Sequence, residues 1–596
     1  MWNEITKLHI NINKIEDTKM LCNNTAIAIR TDRGLHILDI PYNLQRYDKN
    51  LDYVETIITA SKYSPVSVLF ENNFMKGGVR NSEFIQMVLD PTLWPHNNHL
   101  LNEMTSIVAF EWSPTGLIDG MESVMAVLTN VGCVELYGPS RLEWISVLNI
   151  SSLVKDNLKD LSLAKVNVTP KNSKELQEIA HSLATVAICW SDKKYMNGSC
   201  YFVTAQKNGL ILFWSINSRN SKLNAKVIGH LNEDIIEVNI IKWIPIKNLI
   251  LLYSKNRHLV VQIFDKHFNL ITQDVKNLTD YKVTDIKRLK NEFYLSTINN
   301  KFYKIDIECI NTNFKVQTTL VDIKESYPSS ELHAIGFSPN GVLCTFALIE
   351  RKVLWRKEPL KIDLIIMKKS NENSEMLALY NNQEKKLTNY WDYIEVLIYM
   401  TLKTGMLPEF DYANLLSEGE TDIYKLKVYY IMLTLYNNLE KLCKVPTTIS
   451  LPETSLEVIS ERIHALHASD IMKKNYKKHN ANCISKLELE TLSGAKAYLE
   501  YYCEKYKTDL SNFVDPQITS ITTDYKYICQ CCDKEINGFS CTDGHLNMFC
   551  SITFTPIDND DYLFCKGCGA LAHLQLLPEK PTCVFCDLYL YEFVTT

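Results

Sequence analysis

Nine of the chain's 18 cysteines fall within its last 68 residues, and eight candidate metal ligands there stand in spaced pairs. Cys529 pairs with Cys532, Cys541 with His545, Cys565 with Cys568, and Cys583 with Cys586. A Cys-x2-Cys turn lets two thiolates converge on one ion, and a tetrahedral structural zinc site closes when two such pairs meet. Four pairs therefore predict two zinc ions. Cys565-Lys-Gly-Cys568-Gly569 is the strongest element, because glycine within and after the turn lets the chain curl until amides point at sulfur. Cys550 is a ninth candidate for eight places, with Cys531 and His573 as further spares. A crossed arrangement would put Cys529, Cys532, Cys565 and Cys568 on one ion and Cys541, His545, Cys583 and Cys586 on the other; if Cys550 is a ligand, it displaces one of these. Iron–sulfur ligation is the competing reading of the same donors. Four protein ligands leave no open position for water, so the expected role is to hold a fold too small to bury its own core, not to hydrolyse a substrate.

Composition sets the surroundings of this tail. The 596 residues are 46% hydrophobic and 22% charged with net charge −6, as in a soluble globular protein. The start, MWNEITKLHININ, lacks the basic and apolar regions of a secretion signal, and no apolar run approaches the ~18 residues that span a bilayer. The expectation is an intracellular chain with no membrane partner, where reduced thiols hold metal in preference to disulfides. Mild acidity argues against wrapping nucleic acid with the whole surface and leaves room for a local basic patch. The densest one is KKNYKKH, in which Lys473, Lys474, Lys477 and Lys478 are candidate phosphate contacts; the alternative is a solvated helix end or loop.

The first 360 residues carry short alternating or apolar runs broken by turn residues, a hairpin pattern. Turn tips precede β-rich runs at DRG-LHILDI, NVG-CVELY, KNG-LILFW, KNR-HLVVQIF and NNK-FYKIDI, centred on residues 33, 131, 208, 256 and 300. Their intervals are 98, 77, 48 and 44 residues, and a period of 40 to 50 marks four-stranded propeller blades. Read so, 98 is two periods with a weak-tipped blade near residue 82, and 77 is one period with an insertion around Asn157 to Gln177. A last blade near Glu350 brings the expected count to seven. AFEWSPTG, AICWSD, IIKWIP and AIGFSPNG recur as apolar strands ending in an aromatic residue and a turn, which suits blade packing. The WD and GH dipeptides of regular WD40 repeats are largely missing, apart from Gly229-His230, so the expected fold is a degenerate WD40-like β-propeller over residues 1–369, against a β-sandwich array or two separate β domains.

Residues 370–520 change texture to apolar positions at helical spacing and predict four to six helices, with boundary signals at Gly405, Pro408, Pro446, Pro452 and Ser493-Gly494. The tyrosines at 424, 429, 430, 436, 498, 501 and 502 read as packing residues. Residues 521–596 form the cysteine module.

The propeller, the helical middle and a tail reading C-x2-C, then Cys541-Thr-Asp-Gly544-His545 to Cys550-Ser-Ile-Thr-Phe554, together resemble the family of ninety-kilodalton subunits of transcription factor IIIC. The resemblance implies a nuclear chain that binds sister subunits of that factor and bridges promoter-bound parts to RNA polymerase III initiation factors at transfer RNA genes, with DNA contacted mainly within the complex. It also implies an alternative, histone acetyltransferase activity. No acetyl-CoA loop is visible, because the nearest match, Gly567-Cys568-Gly569, has Phe564 in its leading position. The paired ligands raise a third reading, a RING-like ubiquitin ligase, against which 19 residues separate His545 from Cys565 where such rings have only a few.

Overall fold

The computed structural model describes most of the chain; residues 41–52 apart from Leu44, 67–81, 94–104, 161–169, 192–198, 322–328 apart from Tyr327, 351–359, 406–421, 442–454, 521–526 and shorter stretches lie outside the described residues. Two compact units emerge, Met1–Ile40 with Tyr53–Ser370, and Pro41–Asp52 with Asn371–Thr596.

The first unit is a ring of four-stranded antiparallel sheets. In chain order they run from Met20–Cys22 to Val54–Ile58, Ile107–Trp112 to Glu143–Asn149, Thr185–Trp190 to Lys222–Leu231, Val238–Pro245 to Leu270–Asn277, and Val283–Leu289 to Asn313–Val321. The last joins Ser330–Phe337, Leu343–Glu350 and Leu360–Lys369 to the N-terminal strand Trp2–Ile12, so that the two ends of the unit close the ring through one antiparallel ladder. Every predicted turn tip joins the second strand of a sheet to the third.

The sheets number six among the described residues, one fewer than the tip spacing predicts. The predicted blade near residue 82 falls largely outside the described residues, which leave out 67–81, 84, 86–88 and 94–104; those described between Ile58 and Ile107 include no strand, and Pro91–Leu93 is a 3-10 turn. Direct packing of the first sheet (Ala26, Ala28, Leu35, Ile37) on the second (Phe110, Met125, Val127) leaves no place for a blade between them. The 98-residue interval is thus one blade period plus an insertion. The second insertion is as expected, and helices α1 (Ile150–Asp160) and α2 (Ser173–Leu183) flank it.

The recurrent aromatic strands are the innermost of their sheets; three end at their aromatic residue, Trp112, Trp190 and Phe337, and the fourth carries Trp243 two residues before its end at Pro245. In three of them the next residue is a serine whose hydroxyl accepts the amide that opens the second strand: Ser113 from Val124, Ser191 from Tyr201, Ser338 from Leu343. Five inner strands also shift register near their starts, at Ile107/Ala109, Thr185/Ala187, Val238/Ile240, Val283/Asp285 and Leu332/Ala334. A bulge adds local twist, and repeating it at one place per blade gives each sheet the same propeller-like turn.

The second unit contains α3 (Ser374–Tyr380), α4 (Trp391–Thr404), α5 (Ile423–Lys441), α6 (Ser455–Asn480), α7 (Lys486–Tyr506) and the cysteine-rich tail. Gly405 caps α4 in the left-handed conformation as its position suggests, its N–H bonded to the Thr401 carbonyl. Ser493-Gly494 is no boundary. Helix α7 begins earlier, at a capping box in which Ser485 and Glu488 each accept the other's amide, and runs through both residues. Alanines and tyrosines of α6 and α7 (Ala465, Ala468, Ala495, Tyr498, Tyr502) form a core with Val514, Ile518 and Phe554 of the tail. No described helix is long and apolar enough to cross a membrane.

Candidate metal centre

The tail is assembled from one local turn used repeatedly. In each Cys-x2-Cys pair the first cysteine's N–H donates to the carbonyl five residues on: Cys529 to Lys534 at 2.8 Å, Cys565 to Ala570 at 2.8 Å, Cys583 to Leu588 at 2.7 Å. The residue after the second cysteine then donates back to the first cysteine's carbonyl, Asp533 at 3.0 Å, Gly569 at 2.9 Å and Asp587 at 3.1 Å. Curling the chain this tightly requires a left-handed residue at that place, and φ is +56°, +78° and +55° in turn. Asp reaches this region more readily than most L-residues, which explains Cys-Asp at two of the turns and Cys-Gly at the third. The curl aims amides at sulfur: Cys531 N–H lies 3.4 Å from Cys529 Sγ, and Phe585 N–H 3.4 Å from Cys583 Sγ. Cys541 and His545 share a different turn, closed by Gly544 N–H on the Cys541 carbonyl at 2.9 Å with Gly544 at φ +79°.

The turns gather donors into two groups. Cys529, Cys532, Cys541 and His545 form one; Cys565, Cys568, Cys583 and Cys586 the other; within each, the donor atoms lie within 4.8 Å of one another. The arrangement is sequential, first pair with second and third with fourth, which corrects the crossed one. The short β-hairpin of Ile536–Asn537 with Ser540–Cys541 returns the chain to Cys529 within about a dozen residues. The strands Tyr562–Cys565 and Leu590–Phe593 pair so that Cys565 lies opposite Leu590, which brings Cys583 and Cys586 to Cys565. Zinc–sulfur bonds of about 2.3 Å in a tetrahedron put sulfurs about 3.8 Å apart. The measured Sγ separations are 3.2 Å (Cys565–Cys586), 3.4 Å (Cys568–Cys583), 3.9 Å (Cys586–Cys568) and 3.5 Å (Cys532–Cys541), and His545 Nδ1 lies 3.4 Å from Cys541 Sγ. Soft donors at this spacing fit zinc in both groups.

Cys550 joins neither group. It heads a fourth turn of the same design, with Cys550 N–H on Thr555 O at 2.9 Å, Phe554 N–H back on Cys550 O at 2.9 Å, and Phe554 at φ +58°. Thr553 stands where the second cysteine would be, and its N–H lies 3.3 Å from Cys550 Sγ. Side-chain hydrogen bonds take the place of ligation: Thr553 Oγ1 to Thr555 Oγ1 at 2.7 Å, and Thr555 Oγ1 to His573 Nε2 at 2.7 Å. The surplus of nine candidates over eight places thus has a geometric cause. The remaining spare, Cys531, is exposed between the two thiols of its turn.

The helices supply what the turns lack. From α5, Tyr430 stacks on Phe585 with ring centroids 4.8 Å apart, and Lys427 Nζ reaches Asp587 Oδ1 at 2.5 Å. Asp587 Oδ2 also accepts the Leu387 N–H at 2.9 Å, so the carboxylate that ends the last turn ties it to two helical segments. From α6, the His464 ring meets Phe539, Phe554 and Phe585, one aromatic from three successive parts of the tail, at 4.7–5.6 Å. Burial pushes His464 down to about 3, with His467 adding to the effect. His467 is pushed to about 4 by burial and Lys427, against the opposing hydrogen bond of its Nε2 to the Ile552 carbonyl. From α7, Gly494 admits the fourth turn: a Cβ there would stand 2.5 Å from the Phe554 carbonyl oxygen. Leu44, from the segment of residues 41–52, also belongs here, its N–H on the Gly567 carbonyl at 3.1 Å and its own carbonyl held by Asn438. The sequence reading missed all of these contacts. The one available signal was the acid after Cys532 and Cys586, in the place glycine takes after Cys568.

Of the basic cluster, Lys473 and Lys474 are exposed on α6, and its neighbour Asn475 is buried. The segment is helical, and the side chains of Lys477 and Lys478 lie outside the described residues.

Fold and site together define a β-propeller protein with a helix-backed module of two cysteine-rich, metal-type sites. Residues 22–344, more than half of the chain, match the family described as the transcription factor IIIC subunit delta beta-propeller domain, and the chain belongs to that family. Among solved structures, it is similar to Chaetomium thermophilum Raptor at 11% identity, covering 62% of this chain and 30% of that one with a TM-score of 0.30. It is also similar to the Myceliophteria thermophila Cps50 (Swd1) β-propeller domain at 11% identity, covering 60% and 99% with a TM-score of 0.30. The comparison with curated proteins finds no match.

Proposed function

We propose that this chain is a non-catalytic assembly subunit of transcription factor IIIC that bridges promoter-bound subunits and the RNA polymerase III initiation machinery at transfer RNA genes in the nucleus. Membership of the subunit delta family, carried by the propeller, is the observation on which the reading rests. A propeller offers broad faces for partner proteins, and the metal module is a rigid second surface. In this reading Cys529, Cys532, Cys541 and His545 hold one zinc ion, and Cys565, Cys568, Cys583 and Cys586 the other. Bound zinc supplies folding energy and no chemistry, because four protein ligands fill its coordination. Lys473 and Lys474, with Lys477 and Lys478, contribute phosphate contacts once the factor is on DNA.

Two observations weigh against the alternatives. Gly567-Cys568-Gly569, the nearest approach to an acetyl-CoA loop, is part of a cysteine turn whose Gly567 carbonyl is bonded to Leu44. The sequential grouping of ligands also differs from the crossed pairing of a RING-type ligase. Affinity purification of the full chain followed by mass spectrometry tests the proposal. Recovery of the other subunits of the factor is expected, and a purification without them overturns it. In the assembled factor, Lys473→Ala with Lys474→Ala should weaken DNA binding alike for all sequences and lower the salt slope by about two.

A further inference from the structure

The outer strands of the third and fourth sheets leave a groove between them. Residues paired directly across two strands carry their side chains on the same face, so register shows which way each outer strand looks. In the third sheet, Ile211 and Phe213 face the fourth, in one apolar cluster with Trp243 and Phe264. Ser215 and Asn217 continue that face and pair with Lys226 and Asn224 of the outer strand Lys222–Leu231. In the fourth sheet, Val260 and Phe264 face the third, with Gln262 between them on the same side. Val275 and Gln273 of the outer strand Leu270–Asn277 pair with Val260 and Gln262, and Ile271 follows by alternation. The two outer faces that look at each other are uncovered. Lys222, Asn224 and Lys226 are exposed on one, and Ile271 (55%) and Val275 (48%) on the other. Deeper in, Phe268 closes the gap, its ring centroid 4.7 Å from that of Phe213 and 5.4 Å from that of Tyr201. The groove thus has an aromatic floor, a basic wall and an apolar wall.

The basic wall has no counter-charge of its own. Residues 193–232, which include the three outer strands of the third sheet, carry six lysines and arginines and no carboxylate. Lys207 uses its charge on Asp90, at 2.7 Å. Lys222 and Lys226 have no ion pair or hydrogen bond among the described residues. Asp234, which follows the strand, is held by Lys255, and Asp274 of the facing strand alternates to the side away from the groove. Lysine on an exposed edge also discourages aggregation between strands. Every other outer strand, however, carries an acid or a single lysine, and edge protection does not call for an aliphatic wall opposite.

We propose that this groove binds an extended acidic segment of a partner protein, with its carboxylates on Lys222 and Lys226 and its apolar side chains on Ile271 and Val275. The two lysines stand four residues apart on a strand, about 13 Å, a spacing that an extended peptide matches with acids four residues apart. A nucleic acid would use the lysines alone, because bases stack on aromatic rings and not on aliphatic side chains. The groove is read from the propeller alone, so it stands whether or not its partner belongs to transcription factor IIIC and whatever the metal module holds.

The test follows fluorescence anisotropy of labelled probes titrated with the full chain. The first probe is a decapeptide alternating glutamate with leucine, the second its lysine–leucine counterpart, and the third a ten-nucleotide thymidine strand. The parent is expected to bind the first, and more weakly as salt rises. Lys222→Gln with Lys226→Gln should weaken that binding about threefold or more, the loss for two exposed ion pairs, and flatten its salt dependence. Ile271→Ser with Val275→Ser should weaken it about tenfold and leave the salt dependence in place. All four positions are exposed, so both double variants should melt with the parent. Lys222→Glu with Lys226→Glu should transfer the preference to the lysine–leucine peptide, a result that loss of fold cannot produce. The proposal is overturned if the glutamate–leucine peptide does not bind, or if either double variant binds it as the parent does. It is overturned equally if the thymidine strand binds more tightly than the peptide through the same lysines, the mark of a nucleic-acid surface.

Discussion

If the helices and the cysteine turns are one folding unit, a substitution on a helix should unfold the metal module, and Lys427 is the place to ask. Its ammonium meets Asp587 at 2.5 Å, the two side chains being 15% and 9% exposed. Asp587 is also the left-handed residue that closes the Cys583–Cys586 turn. Lys427→Met keeps the stem that packs along α5 and deletes the charge. Removing one partner of a buried pair costs about 3–5 kcal/mol, because the other charge stays buried. Slight exposure and the remaining Leu387 N–H bond to Asp587 place this pair near the lower end, at about 3 kcal/mol. At about 2–4 °C per kcal/mol, the range for units of about 150–250 residues, the transition of the second unit should fall by about 6–12 °C. The propeller's transition should stay where it is. Adding Asp587→Asn to Lys427→Met removes the stranded charge while asparagine still accepts from Leu387 and tolerates positive φ, so the double variant should recover part of the loss. Calorimetry on the zinc-loaded full chain reads both transitions. An unmoved second transition, or strictly additive single variants, would refute the coupling of helix to turn.

Four further outcomes follow from the same geometry. Metal analysis should find two zinc ions per chain, and Cys583→Ser should retain one while lowering the second unit's melting temperature and leaving the propeller's; a propeller that becomes protease-sensitive first would contradict this. Cys550→Ala should cost stability yet leave the metal count at two, and a count of one would return Cys550 to the ligand set. Gly494→Ala must push back the Phe554 carbonyl and should cost about 1–3 kcal/mol by urea unfolding, whereas a neutral effect would mean that the fourth turn does not press on α7. His464 and His467 are held neutral in the folded chain, with values lowered to about 3 and about 4 from an unfolded value near 6.5. The unfolded state therefore binds more protons below about 6.5, and stability is full above that pH and falls as pH drops toward the folded values. Each histidine removes about 2 kcal/mol at pH 5. His464→Phe should abolish its share of the pH 5 to pH 7 difference, and an unchanged pH slope would refute the assignment.

Much of the propeller was legible because blades are periodic and each signal comes from a few adjacent residues. Glycine or asparagine at a tip and an aromatic residue at the end of an inner strand reflect local φ requirements and packing, so Gly34, Gly132 and Gly209 located hairpins that the structure contains. The blade count failed because an interval of 98 residues fits two blades or one blade and an insertion equally well. What decides between them is long-range, the packing of Ala28 and Ile37 on Phe110 and Met125. The ligand pairs were legible for the same local reason. Their grouping was not, since it depends on how the Tyr562–Cys565 strand pairs with Leu590–Phe593. Gly494 shows the reverse error. A glycine read as part of a helix boundary is there for close approach of another chain segment, which only the folded tail reveals.

The four turns of the tail separate two roles that the cysteine count merges. The backbone pattern of N–H to the carbonyl five residues on, the returning N–H and the left-handed residue is complete at Cys550, where no second thiol exists. The fold of the turn therefore does not need metal. Ligands are present only at turns that face another turn, at Cys529–Cys532 and at Cys565–Cys568 with Cys583–Cys586, whereas the Cys550 turn faces α6 and α7 through Phe554 and the Ile552 carbonyl. Where a turn has a helix to pack on, burial of Phe554 offsets the left-handed strain of ~1–3 kcal/mol. Where two turns face each other, a shared ion ties them together, and at the Cys583–Cys586 turn this adds to a helix contact, since Phe585 packs on Tyr430 of α5 and His464 of α6. Metal in this module thus joins turn to turn, and the helices back the turns through Phe554 and Phe585.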